Sequence, residues 1–300
     1  MRLTYHVLDV FTEERFGGNP LAVVLGADAL DGKQMQTIAR EFNLSETVFV
    51  LKAQNPAHSA RVRIFTPATE LPFAGHPTVG TAVLLESLRQ PADGGRNSIV
   101  VLEERIGAVR IGVTSREGQI FAEFDAPKLP EETGALAPPD RLAAALGLIP
   151  GEVGFENHKP MRLMLGPTFA FVPVSTLAAM EKAHVTQHWE SVLGGQGLNG
   201  AFLYCRQTVH SYAAFHARMF APEFGIAEDP ATGSACAAFA GAIHRFDRLP
   251  DGLHKRVVEQ GLEMGRPSFI TISMEVKNTR LEAVRIGGHA VRIAEGTIEV

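Results

Sequence analysis

The sequence predicts an α+β protein made of two related halves, each with short strands whose sheets wrap one helix. Three observations predict this class: many short strand-like runs between turn residues, one helix of small residues in each half, and a block of residues that occurs twice. A chain of 300 residues is too long for one compact core and suits two domains. We expect these domains to be 1–127 and 128–300, because the segment 127–139 is rich in proline and glutamate.

The first half alternates strand-like runs with two helices. Met35, Ile38, Ala39 and Phe42 share one face at helical spacing, which predicts a helix over Asp31–Phe42. The other predicted elements are strands at Tyr5–Phe11, Leu21–Leu25, Glu46–Leu51 and Arg61–Phe65, a small-residue helix at Pro77–Leu88, and short strands from Ile99 to Phe124.

The second half has the same mixture of elements. Its predicted elements are a helix at Arg141–Leu146, strands at Arg162–Leu165, Phe169–Val174, Ala201–Cys205 and His210–Phe220, a helix at Ser234–Phe246, and three C-terminal strands. The last of these, Gly296–Val300, is a candidate to cross back to the first domain.

A duplicated block links the two halves. Arg63–Pro67 and Arg218–Pro222 both read Arg-x-Phe-x-Pro, and Pro72–His76 and Pro230–Ser234 both read Pro-x-x-Gly-polar. In each half the glycine block opens a helix rich in small residues. Matched residues in the same order, each time ending at a helix start, indicate an internal duplication.

The duplicated glycines predict a site for an anion. Two facing halves would bring Gly75 and Gly233 to one central cleft, each at a helix N-terminus with unpaired N–H groups. Two such ends would hold a carboxylate, or stabilise negative charge that develops on a conjugated acid. Simple turn geometry is the alternative explanation of each glycine taken alone.

Four polar residues near these blocks are candidates for chemistry. Glu46 opens a strand-like segment, where a carboxylate is awkward unless a site needs it, although a solvent-facing strand end is the alternative. His76 and Ser234 follow the glycines, and histidine at a helix start is as often structural as catalytic. Asp229 precedes Pro230, and Asp-Pro also starts turns readily.

Composition excludes several classes of protein. A net charge of −5 and a pI near 6.1, without a basic stripe, argue against a nucleic-acid binder. Two cysteines, Cys205 and Cys236, exclude a disulfide-built fold and suit a reducing compartment. No signal peptide and no membrane-length apolar run are recognisable, so we expect a cytoplasmic protein without a membrane partner.

Several long motifs, in order, resemble the phenazine-biosynthesis PhzF-like family, which shares its fold with diaminopimelate epimerase. The resemblance extends from the first strand past residue 240. The motifs are Gly18-Asn19-Pro20, Asn43-Leu44-Ser45-Glu46-Thr47-Val48-Phe49, Arg63-Ile64-Phe65-Thr66-Pro67, Glu70-Leu71-Pro72-Phe73-Ala74-Gly75-His76-Pro77-Thr78 and Glu228-Asp229-Pro230-Ala231-Thr232-Gly233-Ser234-Ala235.

The resemblance implies two similar domains, each a β-barrel around a central helix, with the active site between them. It implies isomerisation of a small carboxylate without metal or cofactor, as in the family member that isomerises trans-2,3-dihydro-3-hydroxyanthranilate, and a homodimer is the expected assembly. Carried over by motif, Glu46 is the catalytic glutamate, and His76 and Asp229 assist it. The residues expected to bind substrate are Ser45, Gly75, Gly233 and Ser234.

One departure from the wider fold bears on the mechanism. Epimerases and racemases of this architecture have a cysteine just before each helix-opening glycine, whereas this chain has Ala74 and Thr232. Cys236 lies inside the predicted helix and is expected to be buried. Glu46 is then the one evident strong base, and a single carboxylate can move a proton along one face of a substrate. We therefore predict a proton-shifting isomerase; a lyase and a non-catalytic binding protein remain the alternatives.

Overall fold

The computed structural model describes residues 1–89 and 95–300. The chain forms two compact units, Met1–Asp125 with Gly287–Val300, and Ala126–Ile286.

The first unit contains most of the N-terminal strands and two α-helices. The strands are β1 Arg2–Val10, β2 Asn19–Val24, β3 Glu46–Leu51, β4 Ala60–Phe65, β5 Glu70–Leu71, β6 Arg96–Glu104, β7 Gly107–Arg116, β8 Gln119–Asp125 and the end of β17 Arg280–Glu299; the helices are α1 Gly32–Phe42 and α2 Gly75–Ser87, with a 3-10 turn at Ala27–Ala29. Asp31 caps α1 in a capping box with Gln34, which is why that helix begins there.

These strands close into an eight-stranded barrel. β1 pairs with β2, β2 runs parallel to β3, β3 pairs with β4, and β4 runs parallel to β6. β6, β7 and β8 follow as antiparallel neighbours, and β17 pairs with both β8 and β1 to close the ring. A closed ring leaves no unpaired sheet edge.

Helix α2 fills the interior of this barrel. It packs against β1, β2, β3, β6, β7 and β8, and every residue from Gly75 to Leu84 is buried. A helix enclosed on all sides needs apolar or small residues all round rather than one apolar stripe. A Cβ atom on Gly80 would lie 2.6 Å from Leu21 of the barrel wall, so glycine is what permits this close packing.

The second unit has its own set of elements. The strands are β9 Glu131–Glu132, β10 Met161–Met164, β11 Thr168–Pro173, β12 Ala201–Cys205, β13 Phe215–Ala221, β14 Ile226–Asp229, β15 Gly252–Gln260, β16 Ser268–Lys277 and the start of β17; the helices are α3 Pro139–Ala145, α4 Leu177–Lys182, α5 Trp189–Val192 and α6 Gly233–Asp247, with 3-10 turns at Pro150–Glu152 and Pro222–Phe224.

The strand connections of the second unit repeat those of the first. β10 to β16 pair as antiparallel, parallel, antiparallel, parallel and antiparallel neighbours, with the short β14 beside β13, in the order seen from β1 to β7. Helix α6 enters after the short strand, as α2 does, and packs against β9, β10, β11 and β16. The predicted fold class, two pseudo-symmetric α+β halves with a sheet around a central helix, is confirmed.

The duplicated Arg-x-Phe-x-Pro block holds the same ion pair in each unit. Arg63 of β4 makes a two-pronged contact with Glu70 of β5, through Nε–Oε1 at 2.7 Å and Nη2–Oε2 at 2.8 Å. Arg218 of β13 grips Glu228 of β14 at 2.8 and 2.9 Å. Each pair fixes the short strand that leads into the glycine-opened helix, so the block serves structure in both units.

One predicted strand start and one predicted linker differ from the structure. The strand expected from His210 begins at Phe215, because the carboxylate of Glu259 takes the backbone N–H groups of Val209 and His210 at 2.6 and 3.0 Å. Those groups are then not available to a strand ladder. The segment expected to be a linker includes β9, which pairs with β10; such a short ladder needs backbone contact alone and leaves no alternation in the sequence.

The chain end expected to cross back forms the last part of β17. This strand pairs with β1 in register from Val10–Ala290 to Arg2–Glu299, and the whole of Gly287–Val300 belongs to the first unit. Within residues 1–89 and 95–300, no helix combines the length and the apolar character that crossing a membrane requires.

Candidate active site

Glu46 stands where α1 has ended and β3 begins. Asn43 closes α1 in the left-handed conformation at φ 50°, and the chain reaches β3 after Leu44 and Ser45. β3 runs parallel to β2, with Glu46 opposite Leu21, so the start of β3 lies beside the start of β2. Its side chain is 16% exposed, which leaves it partly accessible.

The start of α2 brings backbone N–H groups to the same place. Ala74 is the extended N-cap residue and offers no side-chain cap, and Gly75 and His76 form the first turn. Pro77 has no N–H, and the first N–H that donates within the helix is that of Thr78, to the carbonyl of Ala74. The amides of Gly75 and His76 therefore have no acceptor within the helix, as the predicted anion site requires.

His76 is buried beside Glu46, with 3.2 Å between its Nε2 and Oε2 of the glutamate. Burial lowers the pKa of His76 to about 3, although a hydrogen bond to the backbone of Pro20 raises it in part. The ring is therefore neutral at pH 7, and its contact with Glu46 is not an ion pair.

The tautomer of His76 follows from its two neighbours. Proline has no N–H, so Pro20 can only accept through its carbonyl, and the ring must donate to it. Because Nε2 faces Glu46, the donor is Nδ1, and Nε2 carries a lone pair. The contact between Nε2 and Oε2 does not meet hydrogen-bond geometry in this structure, and a hydrogen bond between these two atoms would require the proton to sit on Glu46. His76 is thus placed to hold the protonated form of the glutamate.

This protonation state predicts an acid-sensitive contribution to stability. The pKa of His76 in the folded protein lies below the unfolded value near 6.5. Between pH 6.5 and 3, His76 is therefore protonated in the unfolded chain and neutral in the native chain. His76→Gln removes the group and keeps an amide that can donate to Pro20. We expect the wild type to lose about 2 kcal/mol of unfolding free energy, relative to this variant, between pH 6.5 and 5.

Urea denaturation at several pH values measures this difference. His58→Gln is the control, since His58 is a more exposed histidine of the same unit. A stability difference between wild type and His76→Gln that does not change with pH would show that His76 is not buried in neutral form.

The second unit contains a comparable group of polar residues at the start of α6. Asp229 ends β14, and its Oδ2 accepts the hydroxyl proton of Thr232 at 2.6 Å. The side chain of Gln260, at the end of β15, donates to the Asp229 carbonyl at 2.7 Å and accepts the Thr232 N–H at 3.1 Å. Gly233 and Ser234 begin the helix, so their backbone groups are oriented by this network.

The two positions at which the family resemblance led us to look for cysteine hold the N-cap residues of the central helices. Ala74 and Thr232 precede Gly75 and Gly233, and neither residue has an acidic proton to exchange. Cys236 is buried in α6, and burial raises the pKa of its thiol, so it stays protonated and inert, as predicted.

The structure thus groups the predicted residues into two sets. Ser45, Glu46, Gly75 and His76 lie in the first unit, and Asp229, Gly233 and Ser234 lie in the second. The sequence did not predict the contribution of the Pro20 carbonyl or of Gln260. The pattern Glu-x-Pro-x-x-Gly occurs at both Glu70–Gly75 and Glu228–Gly233. This shared glutamate was the sequence feature that could have predicted the Arg–Glu ion pair in each unit.

Comparison with known proteins finds one family over nearly the whole chain. The family described as "Phenazine biosynthesis-like protein" (PhzC-PhzF) matches residues 8–296. An uncharacterized isomerase of Mesorhizobium japonicum is 51% identical over 98% of both chains. The trans-2,3-dihydro-3-hydroxyanthranilate isomerase of Pseudomonas aeruginosa is 36% identical over 97% of this chain and 98% of its own. The crystal structure of a PhzF-family phenazine biosynthesis protein from Bacillus anthracis has a TM-score of 0.89 and 26% identity, covering 100% of each chain.

Proposed function

We propose, from the premise that the chain belongs to the phenazine biosynthesis-like PhzC-PhzF family, that this isomerase shifts a proton within a small carboxylate substrate with Glu46 as the acid–base group. The family resemblance seen in the sequence is confirmed, and relatives named as isomerases bear out the predicted enzyme class. The role of Glu46, a reaction without cofactor and the substrate class are the content of the proposal.

The observation that carries the proposal is the contact between Glu46 and a neutral histidine. A protonated His76 would pair with the carboxylate and reduce its ability to take a proton. The neutral ring, with its lone pair on Nε2, leaves the carboxylate basic and can accept a hydrogen bond once Glu46 is protonated. His76 therefore suits both the ionised and the protonated form of Glu46, as a group that takes up and returns a proton requires.

The reaction uses one proton and one face of the substrate. Glu46 removes a proton from a carbon atom that is activated by conjugation, and the electron pair moves into the adjoining double bonds. Glu46 then returns the proton to a second carbon, which completes a double-bond shift. The amides of Gly75 and His76, which have no acceptor within the helix, would bind the substrate carboxylate and stabilise the charge that builds on it.

The roles of the polar residues at the start of α6 remain predictions. We propose that Asp229 helps to orient the substrate or relay its proton, and that the Gly233 and Ser234 backbone binds an anionic group. The network of Thr232 and Gln260 supports this, because it fixes the Asp229 carboxylate and the start of α6. Asp229→Asn should then cost less activity than a change at Glu46.

Turnover in deuterated water tests the reaction type. The first probe is trans-2,3-dihydro-3-hydroxyanthranilate, the substrate in the name of a 36% identical relative, followed by small cyclic carboxylates that raise the melting temperature. We expect an isomer of unchanged composition, with deuterium at the carbon that gains the proton or with the original hydrogen if transfer outpaces exchange. Loss of water or an amine would identify a lyase, and racemised substrate would contradict the single-base mechanism.

Location and assembly also remain predictions. We expect a cytoplasmic homodimer that binds neither nucleic acid nor membrane. Light scattering during size-exclusion chromatography tests the assembly, since a dimer would have twice the 32.4 kDa of one chain.

A further inference from the structure

Glu104 is a buried acid that the proposed reaction does not use. It ends β6 and is 8% exposed, and its Oε1 lies 2.7 Å from the hydroxyl oxygen of Thr78 in α2. The same hydroxyl oxygen lies 2.7 Å from the carbonyl oxygen of Ala74. Ala74 is the residue directly before Gly75 and His76, so this chain of contacts reaches the candidate site.

The number of protons shared by Glu104, Thr78 and Ala74 determines which group donates each hydrogen bond. The Thr78 hydroxyl has one proton, and the Ala74 carbonyl can only accept. If Thr78 donates to Ala74, a hydrogen bond to Glu104 requires the carboxyl group to donate to Thr78. Both 2.7 Å contacts are then favourable, whereas an ionised Glu104 would compete with Ala74 for the single hydroxyl proton.

The second unit has a neutral side chain at the matching position. Ala60 and Phe215 each lie three residues before the arginine of the duplicated block. Leu102 is the strand partner of Ala60, and Val258 is the strand partner of Phe215. Two residues further along β6 and β15 are Glu104 and Gln260. Gln260 also binds the N-cap residue of the central helix, donating to the Thr232 hydroxyl at 3.0 Å and accepting its N–H. A glutamine has the donor and acceptor of a protonated glutamic acid.

We propose that Glu104 is a positioning residue that works as a neutral carboxylic acid, fixing the Ala74 carbonyl through Thr78 and thereby the Gly75–His76 turn beside Glu46. The inference rests on the proposed function in one respect, namely that the turn it fixes serves catalysis. The proton and the hydrogen-bond chain stand without that premise.

Burial supports the neutral form. Burial raises the pKa of Glu104 to about 8, and only a Thr78 hydroxyl that donated to the carboxylate, instead of to Ala74, would act against this. The titratable and charged groups on the surrounding elements are Glu46 on β3, Arg61 and Arg63 on β4, Glu70 on β5, His76 and Glu86 on α2, Arg96 and Glu103 on β6, Arg105 in the following turn, and Arg110 and Arg116 on β7. Arg63 and Arg105 bind Glu70, and Glu103 accepts two backbone N–H groups, so these charges have partners elsewhere.

The variant Glu104→Gln tests the proposal because it mimics the protonated acid at every pH. We expect kcat of the wild type to fall about tenfold from its plateau by pH 9, while Glu104→Gln keeps the plateau and lacks this alkaline fall. Glu104→Ala should lose kcat at all pH values with a smaller change in KM. Glu103→Gln is the matched control and should retain the alkaline fall.

Two readouts do not depend on turnover. The ring-nitrogen signals of His76, assigned with His76→Gln, should shift near pH 8 in the wild type and not in Glu104→Gln. The unfolding constant of the wild type relative to Glu104→Gln should rise tenfold per pH unit between about 4.5 and 8 and then level, because the native state alone holds the proton there.

The outcomes separate the two claims. A wild-type His76 signal that is constant through pH 8, or a Glu104→Gln variant as impaired as Glu104→Ala, would overturn the positioning role. If the carboxylate probes are not turned over while His76 and the unfolding constant respond as expected, the proposed function fails and the role of Glu104 stands.

Discussion

Glu46→Gln is expected to lower kcat by a factor of about 10² to 10⁴ or more and to leave the fold nearly unchanged. A positioned general base contributes about that factor, and glutamine keeps the shape of the side chain without taking up a proton at neutral pH. The amide can still donate to the lone pair on Nε2 of His76, so the local packing is preserved. The measurement is kcat together with the melting temperature and the affinity for a non-reacting carboxylate.

Glu41→Gln is the matched control for this variant. It makes the same chemical change on the exposed side of α1, a few residues before Glu46, and should keep full activity. Full activity in Glu46→Gln would refute the single-base mechanism. Lost activity accompanied by lost ligand binding would instead assign Glu46 to substrate binding.

Arg218→Ala is expected to have the largest effect on stability, a loss of about 3–5 kcal/mol in the free energy of unfolding. The arginine is 8% exposed and holds Glu228 through two hydrogen bonds. Its Nη1 also donates to the carbonyls of Met180 and Ala183 at the end of α4, at 2.7 and 2.8 Å. Truncation would leave a partly buried carboxylate and several carbonyls without their donor.

The duplication provides the control for this variant. Arg63 makes the same pair in the first unit, but its side chain is 29% exposed, and Arg105 also contacts Glu70 at 3.3 Å. Arg63→Ala should therefore cost distinctly less in urea denaturation. Arg218→Met combined with Glu228→Gln should recover part of the loss, because no charge is then left without a partner. Equal losses for Arg63→Ala and Arg218→Ala would show that burial does not set the strength of these pairs.

Local chemistry explains what could be predicted from the sequence. The helix α1 is recognisable because Met35 and Ala39 repeat at helical spacing behind the Asp31 cap. β3 is recognisable because its apolar run starts sharply at Glu46. The two glycine blocks point to helix starts, since glycine followed by small residues leaves room for a buried helix. These signals lie within a few residues of one another.

The tertiary structure alone decided the partners. Pro20 contributes a carbonyl, a group that every residue has, so the sequence carries no trace of its contact with His76. Glu259 diverts the backbone of His210 from a strand, and Glu104 reaches Ala74 through Thr78, across separations that no periodicity records. The protonation states of His76 and Glu104 follow from burial, which depends on the whole barrel. The sequence therefore determined the candidate residues and the class of fold, and the folded chain determined which of their atoms carry protons.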